Sequence, residues 1–500
     1  MKDRMKRVLF FSVALLACCA LCTGRSFAQN EARNGKLDKS FSPKPDSNPQ
    51  NVILLEQGKL LVDGNFKEVG GRKISGIARL NGDGTADPTF NPDGKGTNGM
   101  VACIARQSNG KILAIGSFTT YNDTPVGMLI RLNEDGTLDK SFKNDNLFVL
   151  DASSYNGKYE WELQLNKILV RPDDSFYVLG GYNRLNGKLA PLIARFTAEG
   201  VHDESFLPTD KDIYFKSSPY VDAALLLPSG DIYFGGMFGG YNGSSLNKKL
   251  IHITAEGKFD ESFARPMFDY GAPRALALKG KDTIIVAGSF YRAFGKFVNL
   301  MTAIHLDGTP VEDFNAYDFS DKNVEENEDM INGLVVTDKY LYIGGGALWN
   351  AARSFVYPLL PDASQPSEDV SFGTGPNAIV SGLTYDPQGW LYISGFFTSF
   401  SGESKPYFVR CEVPATNTSG IKYLEPTRKA LRIAVGEGTF SLKGGQQTTT
   451  LCIYAQNGRM AARYEHVNTD EVIQHQLPAG GYVLVADMQG ASYATKVYLK

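Results

Sequence analysis

The sequence predicts an all-β fold made of seven repeated four-stranded units, and three observations support this. A segment with an Asp-x-Ser-Phe-like tail returns along the chain, and its last phenylalanine stands at positions 90, 142, 206, 263, 314 and 372. Each tail follows an apolar run, a turn and a Gly-x-aromatic-like element, and helical periodicity is nowhere sustained. Four-stranded units that recur every 50 to 64 residues are typical of propeller blades. We therefore expect a seven-bladed β-propeller followed by a small β-sandwich domain.

Residues 1–28 are predicted to be a signal peptide and are set apart from the fold. A basic start precedes the apolar run Val8–Cys22, and Ser26-Phe27-Ala28 places small residues at the two positions that a signal peptidase inspects. The apolar run is too short and wrongly flanked for a membrane anchor. A loose lipobox ends at Cys18, so lipidation of Cys18 is the alternative to cleavage near Ala28. Either route predicts a protein that is secreted or held at the outer cell surface.

Charge and cysteine content exclude some classes of partner and site. The whole chain carries −3 and residues 1–28 carry +4, so the remaining chain carries −7. A nucleic-acid partner would require a basic surface, so we expect none. Cys103, Cys411 and Cys452 remain after cleavage, too few and too scattered for a disulfide scaffold. Because no HExxH, P-loop, GxSxG or EF-hand pattern occurs, we expect no cofactor, no metal and no catalytic residue.

The repeated units are predicted to occupy residues 29–414. The seventh unit has three strands, the last at 407–413, but it lacks a tail. The missing tail stands at the front of the chain, where residues 35–41 (GKLDKSF) nearly repeat residues 136–142 (GTLDKSF). We therefore expect 35–41 to close the ring as the outer strand of the seventh blade, paired with 407–413. Closure of this kind removes both open sheet edges.

Charged residues recur at two fixed positions in several units. The third strand carries a cation, and a carboxylate follows eight residues later in the tail, as in Arg79 with Asp87, Arg131 with Asp139, Arg195 with Asp203 and His252 with Asp260. Arg410 and Asp38 hold the matching positions in the seventh unit. A hairpin with this offset places the two side chains opposite each other. Because the pairs repeat, we expect structural clips and not catalytic residues.

The repeat resembles the delta-60 repeat family of β-propellers. Residues 109–118 (NGKILAIGSF) and 130–142 (IRLNEDGTLDKSF) carry the resemblance best, and it extends over about residues 35–414. The sixth unit departs most, because Ala347 stands where an aromatic residue is expected and its third strand has no arginine. The resemblance implies the fold but no single activity.

After a predicted linker at 415–423, residues 424–500 show alternating apolar residues between glycine-rich turns, which indicates a small antiparallel β-sandwich. The positions that resemble the C-terminal sorting domain of type IX secretion cargo are Tyr454, Gly458-Arg459, Gly480-Gly-Tyr482 and Lys496-Val-Tyr-Leu499. This resemblance implies the type IX secretion machinery as a partner, and delivery to the outer-membrane surface or the medium. An ordinary carbohydrate-binding or immunoglobulin-like appendage is the alternative.

Long insertions distinguish one face of the predicted propeller. Strand direction alternates, so connections between blades leave on the same face as loops between second and third strands, and this face receives the insertions 143–158, 207–219, 264–273 and 315–330. Loops on a rigid scaffold commonly carry function, and their aromatic and polar side chains suit a saccharide or a peptide. We expect a shallow ligand pocket lined by Tyr155, Tyr159, Tyr214 and Tyr317. The alternative is that these aromatic side chains only seal the tops of the blades.

The leading functional interpretation is a secreted or cell-surface binding module for an extracellular saccharide or protein. The first alternative is a hydrolase or lyase acting on polysaccharide, with carboxylates on the insertion-bearing face such as Asp151 with Asp210 or Asp212. The second alternative is a purely structural surface protein. The sequence leaves these three interpretations open.

Overall fold

The computed structural model divides the chain into two compact units, Met1–Thr416 and Asn417–Lys500. In the first unit it describes residues 35–143, 145–150, 163–190, 192–206, 219–238, 249–269, 271–317, 329–347 and 354–415. In the second unit it describes residues 432–436, 439–443, 449–455, 460–467, 472–474, 477, 480–488 and 491–499.

The first unit is a β-propeller, and its described residues form seven equivalent three-stranded antiparallel sheets, named blades 1 to 7 in chain order. The inner, middle and outer strands are Pro49–Leu54, Leu60–Gly64 and Ile77–Leu80 in blade 1; Val101–Arg106, Ile112–Gly116 and Leu129–Leu132 in blade 2; Gln164–Val170, Phe176–Gly181 and Ile193–Phe196 in blade 3; Tyr220–Leu226, Ile232–Met237 and Leu250–Ile253 in blade 4; Pro273–Lys279, Thr283–Gly288 and Met301–His305 in blade 5; Asp329–Val336, Leu341–Ala347 and Phe355–Leu359 in blade 6; and Val380–Asp386, Trp390–Gly395 and Phe408–Glu412 in blade 7. Middle strands such as Ile112–Gly116 are buried along their whole length. Burial on both faces explains why they are continuous apolar runs.

The predicted fourth strand is reduced to a tail that makes one bridge with the outer strand. The bridges are Leu80–Ala86, Leu132–Leu138, Phe196–His202, Ile253–Phe259, Ile304–Pro310, Leu359–Pro366 and Cys411–Leu37. An Asx turn ends the pairing: in blade 2, Oδ1 of Asp139 accepts hydrogen bonds from the amide of Ser141 at 3.0 Å and from its hydroxyl at 2.6 Å. This turn directs the following Phe142 into the core, so pairing cannot continue.

Residues 35–38 occupy the position of a tail in blade 7. The amide of Asp38 donates to the carbonyl of Arg410 at 2.9 Å, and the amide of Glu412 donates to the carbonyl of Lys36 at 2.8 Å. The inner strands of successive blades are neighbours, and the inner strand of blade 7 also lies beside that of blade 1. The first described residues of the chain thus pair with the last strand of the same unit.

Neighbouring tails interlock through a glycine and a phenylalanine. Gly136 in the tail of blade 2 has a φ of 82°, and a Cβ atom there would lie 2.8 Å from the ring of Phe90, the tail phenylalanine of blade 1. Gly35 has a φ of 74°, and a Cβ atom there would lie 2.9 Å from the ring of Phe372 in the tail of blade 6. Only glycine fits such positions, which explains the glycine of the repeated tail motif.

Short ribbons fill the loops between middle and outer strands. They are Glu68–Val69 with Arg72–Lys73, Thr120–Tyr121 with Thr124–Pro125, Arg184–Leu185 with Lys188–Leu189, Arg292–Ala293 with Lys296–Phe297, and Ser399–Phe400 with Glu403–Ser404. In blades 3 and 5 a strand from the incoming connection joins the ribbon, namely Phe148–Val149 and Phe268–Asp269. The connection and the loop therefore lie on the same face in both blades.

The described residues contain one helical segment, the 3-10 turn Glu56–Gly58, and no helix among them is long and apolar enough to cross a membrane. The described residues of the second unit form two antiparallel sheets. The first sheet has three strands, in the order Arg432–Gly436, Thr439–Lys443, Val472–Gln474. The second has four strands, in the order Met460–Val467, Thr449–Ala455, Gly480–Met488, Ala491–Leu499. Leu451, Ile453 and Val467 are buried in it.

Candidate functional site

The recurring cations and carboxylates meet across the outer strand and the tail. In blade 1, Nε of Arg79 donates to Oδ2 of Asp87 at 2.8 Å, and Lys59 approaches the same oxygen at 2.7 Å. Burial raises the pKa of Asp87, but hydrogen bonds from Lys59, Thr89 and Arg79 outweigh it and hold the pKa well below its usual range. The carboxylate is fully occupied by its own blade, as a structural clip requires.

The same clip is present in other blades. In each clip, Nε of the arginine donates a hydrogen bond to Oδ2 of the aspartate. The distances are 2.8 Å for Arg131–Asp139, 2.8 Å for Arg195–Asp203 and 3.0 Å for Arg410–Asp38. The pKa of Asp139 lies below its usual range because hydrogen bonds from Lys111, Ser141 and Arg131 outweigh burial, which raises it. The Asp38–Arg410 clip joins residues 372 positions apart, and the others join residues eight apart.

The sequence did not indicate that the tail phenylalanine belongs to the clip. In four clips the guanidinium carbon lies over the ring of the tail phenylalanine. Its distance to the ring centroid is 5.2 Å in Arg79–Phe90, 4.7 Å in Arg131–Phe142, 5.0 Å in Arg195–Phe206 and 4.8 Å in Arg410–Phe41. A cation over an aromatic face adds about 0.5–2 kcal/mol. The repetition of Arg with Asp-x-Ser-Phe was the available signal, because the aspartate and the phenylalanine of the motif both contact the same arginine.

Blade 4 carries a modified clip. His252 replaces the arginine, and its Nδ1 lies 2.8 Å from Oδ2 of Asp260, while its Nε2 lies 3.4 Å from Oδ1 of Asp231. The imidazole also stacks on Tyr233, with ring centroids 4.3 Å apart. The substitution was visible in the sequence, whereas the second carboxylate was not, since Asp231 lies directly before the middle strand.

The predicted ligand-binding residues fall mostly outside the described chain. Tyr155, Tyr159 and Tyr214 lie outside the described residues, as do the carboxylates of Asp151, Asp210 and Asp212. Tyr317 is half-buried and packs against the core shared by blades 5 and 6, and its amide donates to the carbonyl of Ala363 at 2.8 Å. Within the part of the chain that the structure describes, no three His, Cys, Asp or Glu side chains converge as a metal site requires.

A second set of equivalent residues lies on the inner strands. Each inner strand is irregular near its start, and this bulge leaves one or two residues without a register partner on the middle strand. These residues are Gln50 and Asn51 in blade 1, Ala102 in blade 2, Asn166 in blade 3, Asp222 in blade 4, Arg274 in blade 5, Asn332 in blade 6 and Ser381 in blade 7. We call this set the bulge ring. It was missed in the sequence because it becomes visible only with the strand register.

The bulge ring is linked tightly on one side. Nδ2 of Asn51 donates to the carbonyl of Ala102 at 3.0 Å, and Nδ2 of Asn332 donates to the carbonyl of Val380 at 2.9 Å. Nδ2 of Asn48 donates to the hydroxyl of Ser381 at 3.1 Å. These bonds join blade 1 to blade 2, blade 6 to blade 7, and blade 7 back to blade 1.

The bulge ring is linked loosely across blades 3 to 6. The amide of Val221 lies 3.5 Å from Oδ1 of Asn166, and Nη1 of Arg274 lies 3.7 Å from Oδ2 of Asp222. Nη1 of Arg274 also lies 3.4 Å from Oδ1 of Asn332. We call this side, together with Lys167 directly after the bulge of blade 3, the loose arc. These three contacts are longer than the usual range for a hydrogen bond.

One carboxyl behind the tight side is wholly buried. Asp63 accepts hydrogen bonds from the amide of Asn51 at 2.9 Å and from its side-chain nitrogen at 3.0 Å. Burial raises the pKa of Asp63 to about 7, while bonds from Asn51 and from the amide of Ile104 lower it. Because Ile104 belongs to blade 2, Asp63 contributes to the joint between blades 1 and 2.

Comparison with known proteins supports the fold. A family described as a domain of unknown function (DUF5122) beta-propeller matches residues 58–90 and 107–142. These segments run from the start of the middle strand to the tail in blade 1, and from the end of the inner strand to the tail in blade 2. No curated protein matches the chain.

Solved structures with a similar arrangement share little sequence. PorZ, an essential bacterial surface component of the type-IX secretion system of Porphyromonas gingivalis, is 12% identical with a TM-score of 0.30, over 90% of this chain and 51% of PorZ. YCF48 from Cyanidioschyzon merolae is 10% identical with a TM-score of 0.39, over 74% of this chain and 96% of YCF48. A puromycin hydrolase is 10% identical with a TM-score of 0.42, over 90% of this chain and 61% of the hydrolase. The chain spans about half the length of PorZ, and at these scores no activity or partner carries over.

Proposed function

We propose that the chain is an exported binding module, a seven-bladed propeller closed by residues 35–41, whose ligand is an extracellular saccharide or protein. Its working surface is the insertion-bearing face, defined as the face that receives the connections 143–158, 207–219, 264–273 and 315–330. The observation that carries this proposal is the pairing of Phe148–Val149 and Phe268–Asp269 with the loops of their own blades. It supports placing these variable segments on one side of a rigid scaffold, where binding loops commonly lie.

The repeated charged residues support a binding role over a catalytic one. Asp87, Asp139 and Asp38 are held by an arginine and by a serine or threonine inside their blades. A general acid or base needs a carboxyl with a free oxygen near a reacting group. These clips therefore account for the most conspicuous ionisable residues without assigning chemistry to them.

The proposed route to the cell exterior rests on the sequence of the second unit and of residues 1–28. A signal peptide would lead the chain across the inner membrane, and residues 424–500 would serve as the sorting domain for the type IX secretion machinery. The outcome would be a protein at the outer surface or in the medium.

A binding screen tests the proposed function. The purified chain from Gln29 onward is applied to arrays of glycans and extracellular-matrix proteins, together with the Tyr155→Ala and Tyr214→Ala variants. Tyr357→Ala serves as the matched control, because this partly exposed tyrosine lies on an outer strand. We expect a ligand whose binding falls in the first two variants and persists in the control. Unchanged binding together with a lower melting temperature would assign these aromatics to packing.

A further inference from the structure

The loose arc differs from the rest of the bulge ring in charge. Among the described bulge residues, Asp222 and Arg274 are the ionisable ones, and they occupy neighbouring blades. Lys167 stands directly after the bulge of blade 3. Burial raises the pKa of Asp222, and the charges of Arg274 and Lys167 offset only part of this rise. The other bulge positions hold amides, a serine or an alanine. One side of the ring thus collects two cations and one carboxylate.

The charges of the loose arc are close together but do not satisfy one another. Nη1 of Arg274 and Oδ2 of Asp222 are 3.7 Å apart, too far for a hydrogen bond. Oδ2 of Asp222 and Nε of Arg274 are both buried and have no hydrogen-bond partner. Buried polar atoms without partners are rare in native proteins, and each one calls for an explanation. A purely structural ion pair closes to hydrogen-bond distance, as in the Asp38–Arg410 clip, where Nε and Nη2 of Arg410 both donate to Oδ2 of Asp38.

The loose arc also lies at the end of the inner strands that the insertions enter. The inner strands of blades 3 to 6 begin at Gln164, Tyr220, Pro273 and Asp329, at or near the ends of the four insertions. The bulge follows within the first residues of each strand, on the side of the insertion-bearing face. About a quarter of each charged side chain is exposed, 23% for Asp222 and 27% for Arg274. A small solute that enters the central channel, which the ring of inner strands surrounds, can therefore reach the exposed part of each side chain.

The arrangement of charges selects a class of ligand. Two cations favour a carboxylate, and a guanidinium with free donors binds it in a bidentate manner. Asp222 adds an acceptor beside them, which repels a multiply charged anion but binds a hydroxyl or ammonium group next to the carboxylate. The amides of Asn166 and Asn332 flank the site and can donate or accept. A singly charged acid with an adjacent donor complements every one of these groups.

From this geometry we infer that the loose arc, with Lys167, Asp222 and Arg274 at its centre, binds a small organic acid that carries a hydroxyl or an ammonium group beside its carboxylate. The inference deepens the proposed function and rests on it, because it places a defined ligand chemistry at the channel mouth of the insertion-bearing face. A sugar acid and an amino acid share this chemistry, and the experiment separates them.

Calorimetric titration of the full purified chain tests the inference. The probes are D-gluconate and L-alanine, with D-glucose and acetate as controls that lack the carboxylate or the adjacent donor. We expect at least one of the two acids to bind about tenfold or more tightly than either control compound. Binding of both acids would show that the site accepts the whole class. Arg274→Gln and, independently, Asp222→Asn should weaken it about tenfold or more, the size of a lost charge-assisted hydrogen bond. Ser381→Ala, on the tight side of the ring, should leave it unchanged.

Two outcomes overturn the inference: no heat of binding for either acid at millimolar concentration, or unchanged binding in variants that keep the native circular-dichroism spectrum. Its failure is distinct from failure of the proposed function. A ligand from the array screen that depends on Tyr155 and Tyr214, without any acid binding, refutes the loose arc alone. If the array screen finds no ligand but an acid binds and Arg274→Gln weakens that binding, recognition takes place in the channel and not at the tyrosines of the insertions.

Discussion

Closure by residues 35–41 predicts that this segment can be removed from the chain and supplied again as a peptide. Phe41 is 1% exposed, and its ring lies edge-on to Tyr392 and Phe408 at 5.7 and 5.2 Å. Losing a buried phenylalanine side chain costs about 3–5 kcal/mol, and losing the Asp38–Arg410 pair adds about 1 kcal/mol. Against a total stability of about 5–15 kcal/mol, the melting temperature should fall on the order of 10 °C.

The assay compares the melting temperature of the chain that begins at Ser42 with that of the chain from Gln29. A synthetic peptide of residues 29–41 in excess should restore the lost stability in a concentration-dependent way, because it binds only the folded ring. A peptide with Asp38→Ala and Phe41→Ala is the matched control and should not restore it.

The internal control is Asp203→Ala in the full chain. It removes an equivalent carboxylate whose arginine partner is eight residues away, at 2.8 Å, so it should cost about 1 kcal/mol and no more. Closure by residues 35–41 is refuted if the truncated chain has the same melting temperature as the full chain. It is also refuted if the altered peptide rescues as well as the native one.

Three further predictions follow from the interlock, the buried carboxyl and the second unit. Gly136→Ala should destabilise by about 2 kcal/mol more than Gly187→Ala in urea unfolding, because both have a φ of 82° but only Gly136 faces a ring within 3 Å. Asp63, with a folded pKa near 7 against 3.8 unfolded, resists ionisation. Stability should therefore fall by roughly 4 kcal/mol as pH rises from about 4 to 7, and Asp63→Asn should remove that dependence. Removing residues 424–500 should leave a folded propeller in the periplasm, and normal surface delivery measured by cell fractionation would contradict the sorting proposal.

The repeated tails made much of the fold predictable because their contacts are local. Arg131 and Asp139 are eight residues apart, so their pairing follows from one hairpin. The interlock of Gly136 with Phe90 was not predictable in the same way, since it joins two blades whose relative placement the sequence does not state. The fourth strand was overpredicted because the Asx turn of Asp139 ends pairing after one bridge, which alternation of apolar residues does not reveal.

The candidate site was less predictable than the fold. The sequence directed attention to four tyrosines of the insertions, Tyr155, Tyr159, Tyr214 and Tyr317, and of these four the structure describes Tyr317. Its contacts with the core of blades 5 and 6 are those of a packing residue. The loose arc gave no comparable signal, because Asp222 and Arg274 stand in apolar strands 52 positions apart. Only the bulges and the order of the blades bring them together.

Repetition separates the two kinds of aspartate in this protein. Asp87, Asp139 and Asp203 recur with the same partners, and in each the surrounding hydrogen bonds lower the pKa despite burial. Asp222 has no such partners, burial raises its pKa, and its Oδ2 is left without a hydrogen bond. In each arginine clip, by contrast, the aspartate carboxylate accepts hydrogen bonds from side chains of its own blade. The unsatisfied carboxylate in the bulge ring is therefore the group that the proposed organic acid would complete through its hydroxyl or ammonium group.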